Sequence, residues 1–413
     1  MIAISREESI FTCRSFRSAK PTLFRAAFAH GWNMRLPLHH ATFKERNLPT
    51  SRFVCPIRPL SLQSGTRPLR KCDYPPLPMK RSIAHSLILL ALCIGWGQGC
   101  EKNVPPAPKE TKVEMKPTTT REVETHQIEI SRPEAKIAGE LIVADAVNPT
   151  PLAVIVAGSG PTDRDGNSVA GIKTDAYKML ATDLAKRGVS TFRYDKRGIG
   201  ASTTTVDESQ VDLNTFVNDL VGVVRHFEGD SRFDSLHIIG HSEGGLLAIL
   251  AAPSLDAESL TLLATAGRPL REVLEEQLAK QAPALMPDVR RILDDLENGR
   301  EPEVVPDVLM GLFRPSVQPF LKSAISVDPA QKLKELKVRV LVVQGARDLQ
   351  VSLKDAERLV LFRSDAEFLT LPKASHVLKD DPATELPQES YTNPNMPLSE
   401  GLSDTVAKHI TKP

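Results

Sequence analysis

Residues 235–245 read SLHIIGHSEGG, and the way this stretch turns decides the fold. Leu236, Ile238 and Ile239 are strand-like, while Leu246, Leu247, Ile249 and Leu250 follow with the spacing of a buried helix face. Between them the chain must reverse within two or three residues. Gly240, Ser242 and Gly244 form G-x-S-x-G, the mark of a strained strand-to-helix turn that lifts a serine hydroxyl above a sheet. A side chain at either glycine would meet neighbouring backbone. By chance the pattern arises in roughly one chain in ten of this size, so the flanking strand and helix carry more weight than the five residues themselves. The competing reading is a tight turn with an idle serine. What separates the two is whether an acid and a histidine follow in the right places.

Outward from this turn, strands and helices alternate. HQIEIS and AGELIVA read as an opening antiparallel pair, and LAVIVA, VSTFRYD, LHIIG, SLTLLAT, VRVLVVQG and AEFLTL as buried strands. Helices are expected in DAYKMLATDLAKRG, VDLNTFVNDLVGVVRHFEG, the segment after Ser242, LKDAERLVLF and LSDTVAKHI. This is the pattern of an α/β protein with a mostly parallel central sheet and helices on both faces. Residues 270–333 interrupt it with amphipathic segments such as REVLEEQLAKQ, and read as a helical lid inserted between core strands six and seven.

Two of the ten histidines, His376 and His409, follow Ser242. His409 sits in the final helix and reads as a surface or packing residue. His376 lies in a loop just after the last strand, where an imidazole can reach the serine. Asp348 closes VRVLVVQGARD and is the acid expected to orient that ring, although a helix N-cap carboxylate would look the same. Asp355 is the weaker alternative. In such a triad His376 takes the Ser242 proton and Asp348 stabilises the cation. The oxyanion that follows needs two backbone N–H donors. One is Glu243, directly after the serine. The other is placed in AGSGPTDRDGN at Ser159, with Gly160 as the fallback. YDKRGIGAS reads as a structural turn, with Asp163 or Asp165 as the partner expected for Arg197.

Five stretches in order, GSGPTDRDG, YDKRGIGAS, GHSEGG, QGARDLQV and SHVLK, resemble the bacterial α/β-hydrolases of the serine aminopeptidase S33-like group, closest to EstD-like carboxylesterases. The resemblance covers about residues 126–413. It implies the α/β-hydrolase fold and cleavage of short to medium acyl esters, with a small-molecule ester substrate, no cofactor and no metal. A peptidase or amidase using the same residues stays open, and would need a carboxylate for a peptide amine, with Glu275, Glu276 and Asp294 as candidates. A non-catalytic binding lipoprotein on the same fold should have lost a triad member, and all three are present.

The chain has 413 residues and a net charge of +1, which gives no reason to expect nucleic acid as a partner. Residues 1–78 hold 13 Lys/Arg against 4 Asp/Glu without apolar periodicity, and read as disorder or as translation from a start placed too far upstream. Met79, Lys80 and Arg81 then precede the run SLILLALCIGWG, which has the length of a signal-peptide core. The segment 79–100 ends in Gly99 and Cys100, resembling a lipoprotein signal in which Cys100 is lipidated and tethers the chain to a membrane. Gly97 and Gln98 depart from the usual pattern, so ordinary secretion or an uncleaved anchor stays open. Residues 101–125 are a Pro-, Lys- and Thr-rich tether. All five cysteines lie at or before position 100, so the domain at 126–413 can hold no disulfide.

Overall fold

The computed structural model describes residues 123–381 and 389–413. The upstream segment, the signal sequence with Cys100 and nearly all of the tether lie outside the described residues. Among those described, no helix is long and apolar enough to cross a membrane.

Nine strands form one sheet: β1 (Glu124–Arg132), β2 (Ala135–Val143), β3 (Thr150–Val156), β4 (Ser190–Tyr194), β5 (Thr203–Thr204), β6 (Phe233–His241), β7 (Ser259–Leu263), β8 (Arg339–Gly345) and β9 (Glu367–Leu371). Their order is β1-β2-β4-β3-β6-β7-β8-β9, with β5 beside β2. β2 pairs antiparallel with β1, β4 and β5. From β4 through β9 every other pairing is parallel. The expected opening hairpin is therefore present, and it begins two residues before His126. β5 was not expected, because two residues are too few to show a period.

The parallel strands read as continuous apolar runs because both of their faces are covered. Alternate residues divide between two cores. Leu152, Val154, Ile238, Leu260 and Val342 face one side. Ala153, Ile155, Ile239, Leu263 and Val343 face the other. The second side is covered by α1 (Ala176–Lys186) and α11 (Leu402–Ile410), through Tyr177, Leu180, Leu184, Leu402 and Val406. The first is covered by α2 (Leu213–Arg225), α3 (Glu243–Ala251) and α9 (Leu353–Phe362). α2 starts where Asp212 and Thr215 bond each other's backbone N–H groups, a capping box. This is the α/β-hydrolase arrangement.

Between β7 and β8 the chain inserts α4 (Leu270–Gln281), α5 (Met286–Glu297), α6 (Met310–Phe313), α7 (Gln318–Ala324) and α8 (Pro329–Lys334). Only the short β5 makes these the seventh and eighth strands rather than the sixth and seventh. The insertion is welded to the first core: Val289, Ile292, Leu293, Phe313 and Leu321 are all buried there. After β9 a short helix, α10 (Glu389–Thr392), precedes α11.

Candidate active site

A parallel sheet collects the loops at the carboxyl ends of its strands on one edge. Here that edge gathers Gly158 and Ser159 after β3, Asp195 and Lys196 after β4, Ser242 after β6, Asp348 after β8 and His376 after β9.

Ser242 has φ 53° and ψ −119°, a conformation that a residue with a side chain holds only when its surroundings enforce it. They do. A Cβ on Gly240 would collide with the Gly244 carbonyl, and one on Gly244 would collide with the Val156 carbonyl. Ser242 stands at the N-cap of α3, yet its hydroxyl does not cap the helix. Its backbone N–H donates to the Leu263 carbonyl (2.8 Å), which ties the turn to β7. The expected strained turn is therefore formed, with the hydroxyl left unused by the helix.

The Asp348 side chain is shielded from solvent, and its carboxylate accepts four hydrogen bonds. Oδ1 accepts the backbone N–H groups of Gln350 (2.7 Å) and Val351 (2.9 Å). Oδ2 accepts from His376 Nδ1 (2.8 Å) and from Gln344 Nε2 (3.0 Å). A carboxylate held this way fixes the imidazole with Nδ1 protonated and Nε2 free to act as a base. Asp355 has other work: it bonds the Ser352 hydroxyl (2.8 Å) at the start of α9 and pairs with Arg268 (2.8 Å). His409 is buried, not on the surface, and bonds Glu367 (2.8 Å).

Among the described residues no hydrogen bond joins the Ser242 hydroxyl to His376. The two loops meet instead through His241, the residue before the serine. Its Nε2 lies 2.8 Å from the His376 carbonyl, which can only accept, so Nε2 carries the proton. Nδ1 then accepts from the Tyr177 hydroxyl (2.7 Å), whose oxygen in turn accepts the Gly158 N–H (3.2 Å). One relay thus spans the β3 loop, the serine turn and the His376 loop. Catalytic hydrogen bonds that are open in a free enzyme commonly close only around substrate.

Burial, with a smaller push from the neighbouring His376, pulls the His241 pKa down to about 3. Burial likewise pulls His237 down to about 4, helped by the charge of Arg339. Unfolded, both rings would take a proton near pH 6.5. Between that pH and the folded values the unfolded chain binds more protons, so acid favours it. Stability from these rings is full above pH 6.5 and is lost as pH falls toward 4 and then 3, at about 1.4 kcal/mol per pH unit per ring. The melting temperature is expected to fall steeply below pH 6, and less steeply in His237→Gln. Equal slopes would contradict the assignment.

The Gly158 backbone runs against the turn, since a Cβ there would lie 3.2 Å from Ser242 Cβ. Gly158 N–H is spent on Tyr177, which leaves Ser159 and Gly160 as candidate donors from this loop. Ser159, Ser242 and Glu243 open into one cavity whose wall is mainly the inserted helices: Val273, Leu274, Leu278, Leu309, Leu312 and Phe320.

In the YDKRGIGAS turn the pairing expected for Arg197 is corrected. Arg197 grips Asp219 of α2 through two bonds (2.8 and 2.9 Å). Asp165 pairs with Arg193 (2.9 Å), and Arg164 pairs with Asp195 (2.6 Å). Lys196, Tyr177, His241 and Gln344 were not singled out from sequence. For His241 and Lys196 position at a strand end was the available signal, and nothing local distinguishes a buried lysine from an exposed one.

A family model described as serine aminopeptidase, S33 matches residues 171–383. Among curated proteins, esterase EstD of Thermotoga maritima is 27% identical over 284 residues, which are 67% of this chain and 66% of that protein. The chain thus spans just under two thirds of that relative's length. Among solved structures, Est1E from Butyrivibrio proteoclasticus aligns at 17% identity and a TM-score of 0.45, over 69% of this chain and 95% of its own. A Pyrococcus furiosus esterase aligns at 15% and 0.45, over 62% and 84%. With just over half of its length matched by the family model, the chain belongs to the serine aminopeptidase, S33, family of α/β-hydrolases.

Proposed function

We propose that this protein is a serine carboxylic ester hydrolase acting on short to medium acyl chains. His376 Nε2 takes the Ser242 proton as Oγ attacks the ester carbonyl, and Asp348 stabilises the imidazolium. The N–H groups of Glu243 and Ser159 receive the oxyanion, with the positive end of α3 behind the first of them. Collapse releases the alcohol, which takes its proton from His376. Water, deprotonated by the same ring, then frees the acid from the acyl-enzyme.

The observations that carry this reading are the Asp348–His376 bond, the tie of the His376 loop to the serine turn through His241, and a strained Ser242 that opens into an apolar cavity. The esterase name of the Thermotoga relative agrees with it. Under this reading the inserted helices act as a lid over the acyl chain. A peptidase would need an unpaired carboxylate for a peptide amine. Glu275 lies 3.1 Å from Arg271, Glu276 2.7 Å from Arg268, and Asp294 2.6 Å from Arg271, so these three are already paired. An apolar wall favours acyl chains over charged peptides. The value of kcat/KM for p-nitrophenyl butyrate is therefore expected to exceed that for aminoacyl-anilides by at least about a hundredfold. Faster turnover of an anilide would overturn the assignment in favour of the peptidase.

We infer as well that the chain is exported and tethered through Cys100, on the strength of the basic residues and apolar run at 79–100. Mass spectrometry of the mature N-terminus should place it at or near Cys100. Cytoplasmic recovery with Met1 retained would sink this.

A further inference from the structure

Lys196 has no role in the reaction as written, yet its ammonium is buried between the β3 loop and the start of α3, with 4% of the side chain exposed. It donates to the Gly158 carbonyl oxygen at 2.6 Å and to Glu243 Oε1 at 3.1 Å. The ring of Phe216 closes another side, its centroid 5.6 Å from Nζ. The two oxygens belong to the two segments that line the cavity beside Ser242. The Gly158 carbonyl is also one end of a particular peptide group, and the other end is the N–H of Ser159.

We propose that Lys196 is the positioning residue of the oxyanion site, holding and polarising the peptide whose N–H, at Ser159, receives the oxyanion. This rests on the esterase reading. Among the described residues every peptide is trans, so the Ser159 N–H leaves its peptide on the side away from Lys196. A charge-assisted bond to the carbonyl draws electron density toward oxygen and makes the far N–H a stronger donor, as hydrogen bonds in a chain strengthen one another. Because Glu243 shares the ammonium, the pair carries no net charge. What reaches the peptide is polarisation and a fixed orientation. The same ammonium ties the Ser159 loop to the residue supplying the other donor, so one side chain sets the spacing of both.

A buried ammonium is costly, and well-packed apolar replacements of buried ion pairs are often neutral or stabilising. Stability and catalysis should therefore separate on substitution. Lys196→Met is expected to lower kcat for p-nitrophenyl butyrate about tenfold, less than the loss of a whole oxyanion donor, with KM within about twofold. Affinity for an alkyl trifluoromethyl ketone, whose serine adduct carries an oxyanion, should weaken by a similar factor. Lys196→Met with Glu243→Gln leaves no unpaired charge, and should melt at or above the wild-type temperature while keeping the kcat defect. This second variant decides the matter if the first fails to fold. Wild-type kcat in the folded double variant, or a kcat defect without loss of ketone affinity, would overturn the proposal. A wild type that turns over no ester would overturn the esterase reading itself, and this inference with it.

Discussion

Ser242→Ala is expected to lower kcat for p-nitrophenyl butyrate by about 10⁴-fold or more, with the fold intact. Under the proposed mechanism, removing the hydroxyl deletes the atom that would form the acyl-enzyme. The residual rate then comes from the oxyanion site and substrate binding alone, which in serine hydrolases is a small remainder. Stability should change little, because the Ser242 hydroxyl does not cap α3 and the turn is held by backbone. Alanine must still adopt the positive φ, as serine does, so the strain is common to both. Circular dichroism and a thermal melt would establish the fold, and a stopped assay with enzyme in excess would read the residual rate. A variant retaining more than a tenth of wild-type kcat would show that Ser242 is not the nucleophile.

Asp348→Asn is expected to cost about 10³- to 10⁴-fold in kcat, close to the effect of His376→Ala. An amide at this position presents N–H where His376 Nδ1–H now points. The ring must then turn, or move its proton to Nε2, which can no longer act as a base. The two backbone donors on Oδ1 and the Gln344 amide on Oδ2 leave the side chain little freedom to escape this conflict. His409→Ala is the control: its ring bonds Glu367 at the far end of α11, so kcat per folded molecule should stay within about twofold while the melting temperature falls. Equal loss of kcat at His376 and His409 would unseat the base, and an Asp348→Asn variant with near wild-type kcat would remove the acid from the mechanism.

Some of this site was legible before any coordinates, for a physical reason. The turn at Ser242 is local: two glycines, an apolar strand before and an apolar helix after state their requirements within a dozen residues. Strands β3 and β8 must be buried on both faces, so their apolar runs show through any neighbouring detail, and α9 and α11 begin and end where their apolar spacing does. Chain order then left two histidines for the base, and only His376 stands in a loop at a strand end. Asp348 and Asp355 were harder to separate. Both are acids beside one helix start, and what divides them is that Asp355 is claimed by Ser352 and Arg268 while Asp348 faces His376.

The sequence by itself therefore determined the alternation, the parallel sheet, the strained serine and the order of the chemical groups. Each of these is written in residues near one another or in a period that burial imposes. Tertiary structure alone decided the pairing of charges: Arg197 with Asp219 rather than Asp163 or Asp165, and Lys196 between Gly158 and Glu243. It alone decided that Tyr177 and His241 join three loops, and that the inserted helices wall the cavity above Ser242. The reason is that like charges are interchangeable along a chain. Only folding, by bringing segments tens of residues apart within about 3 Å, sets which carbonyl or carboxylate lies in reach of which donor.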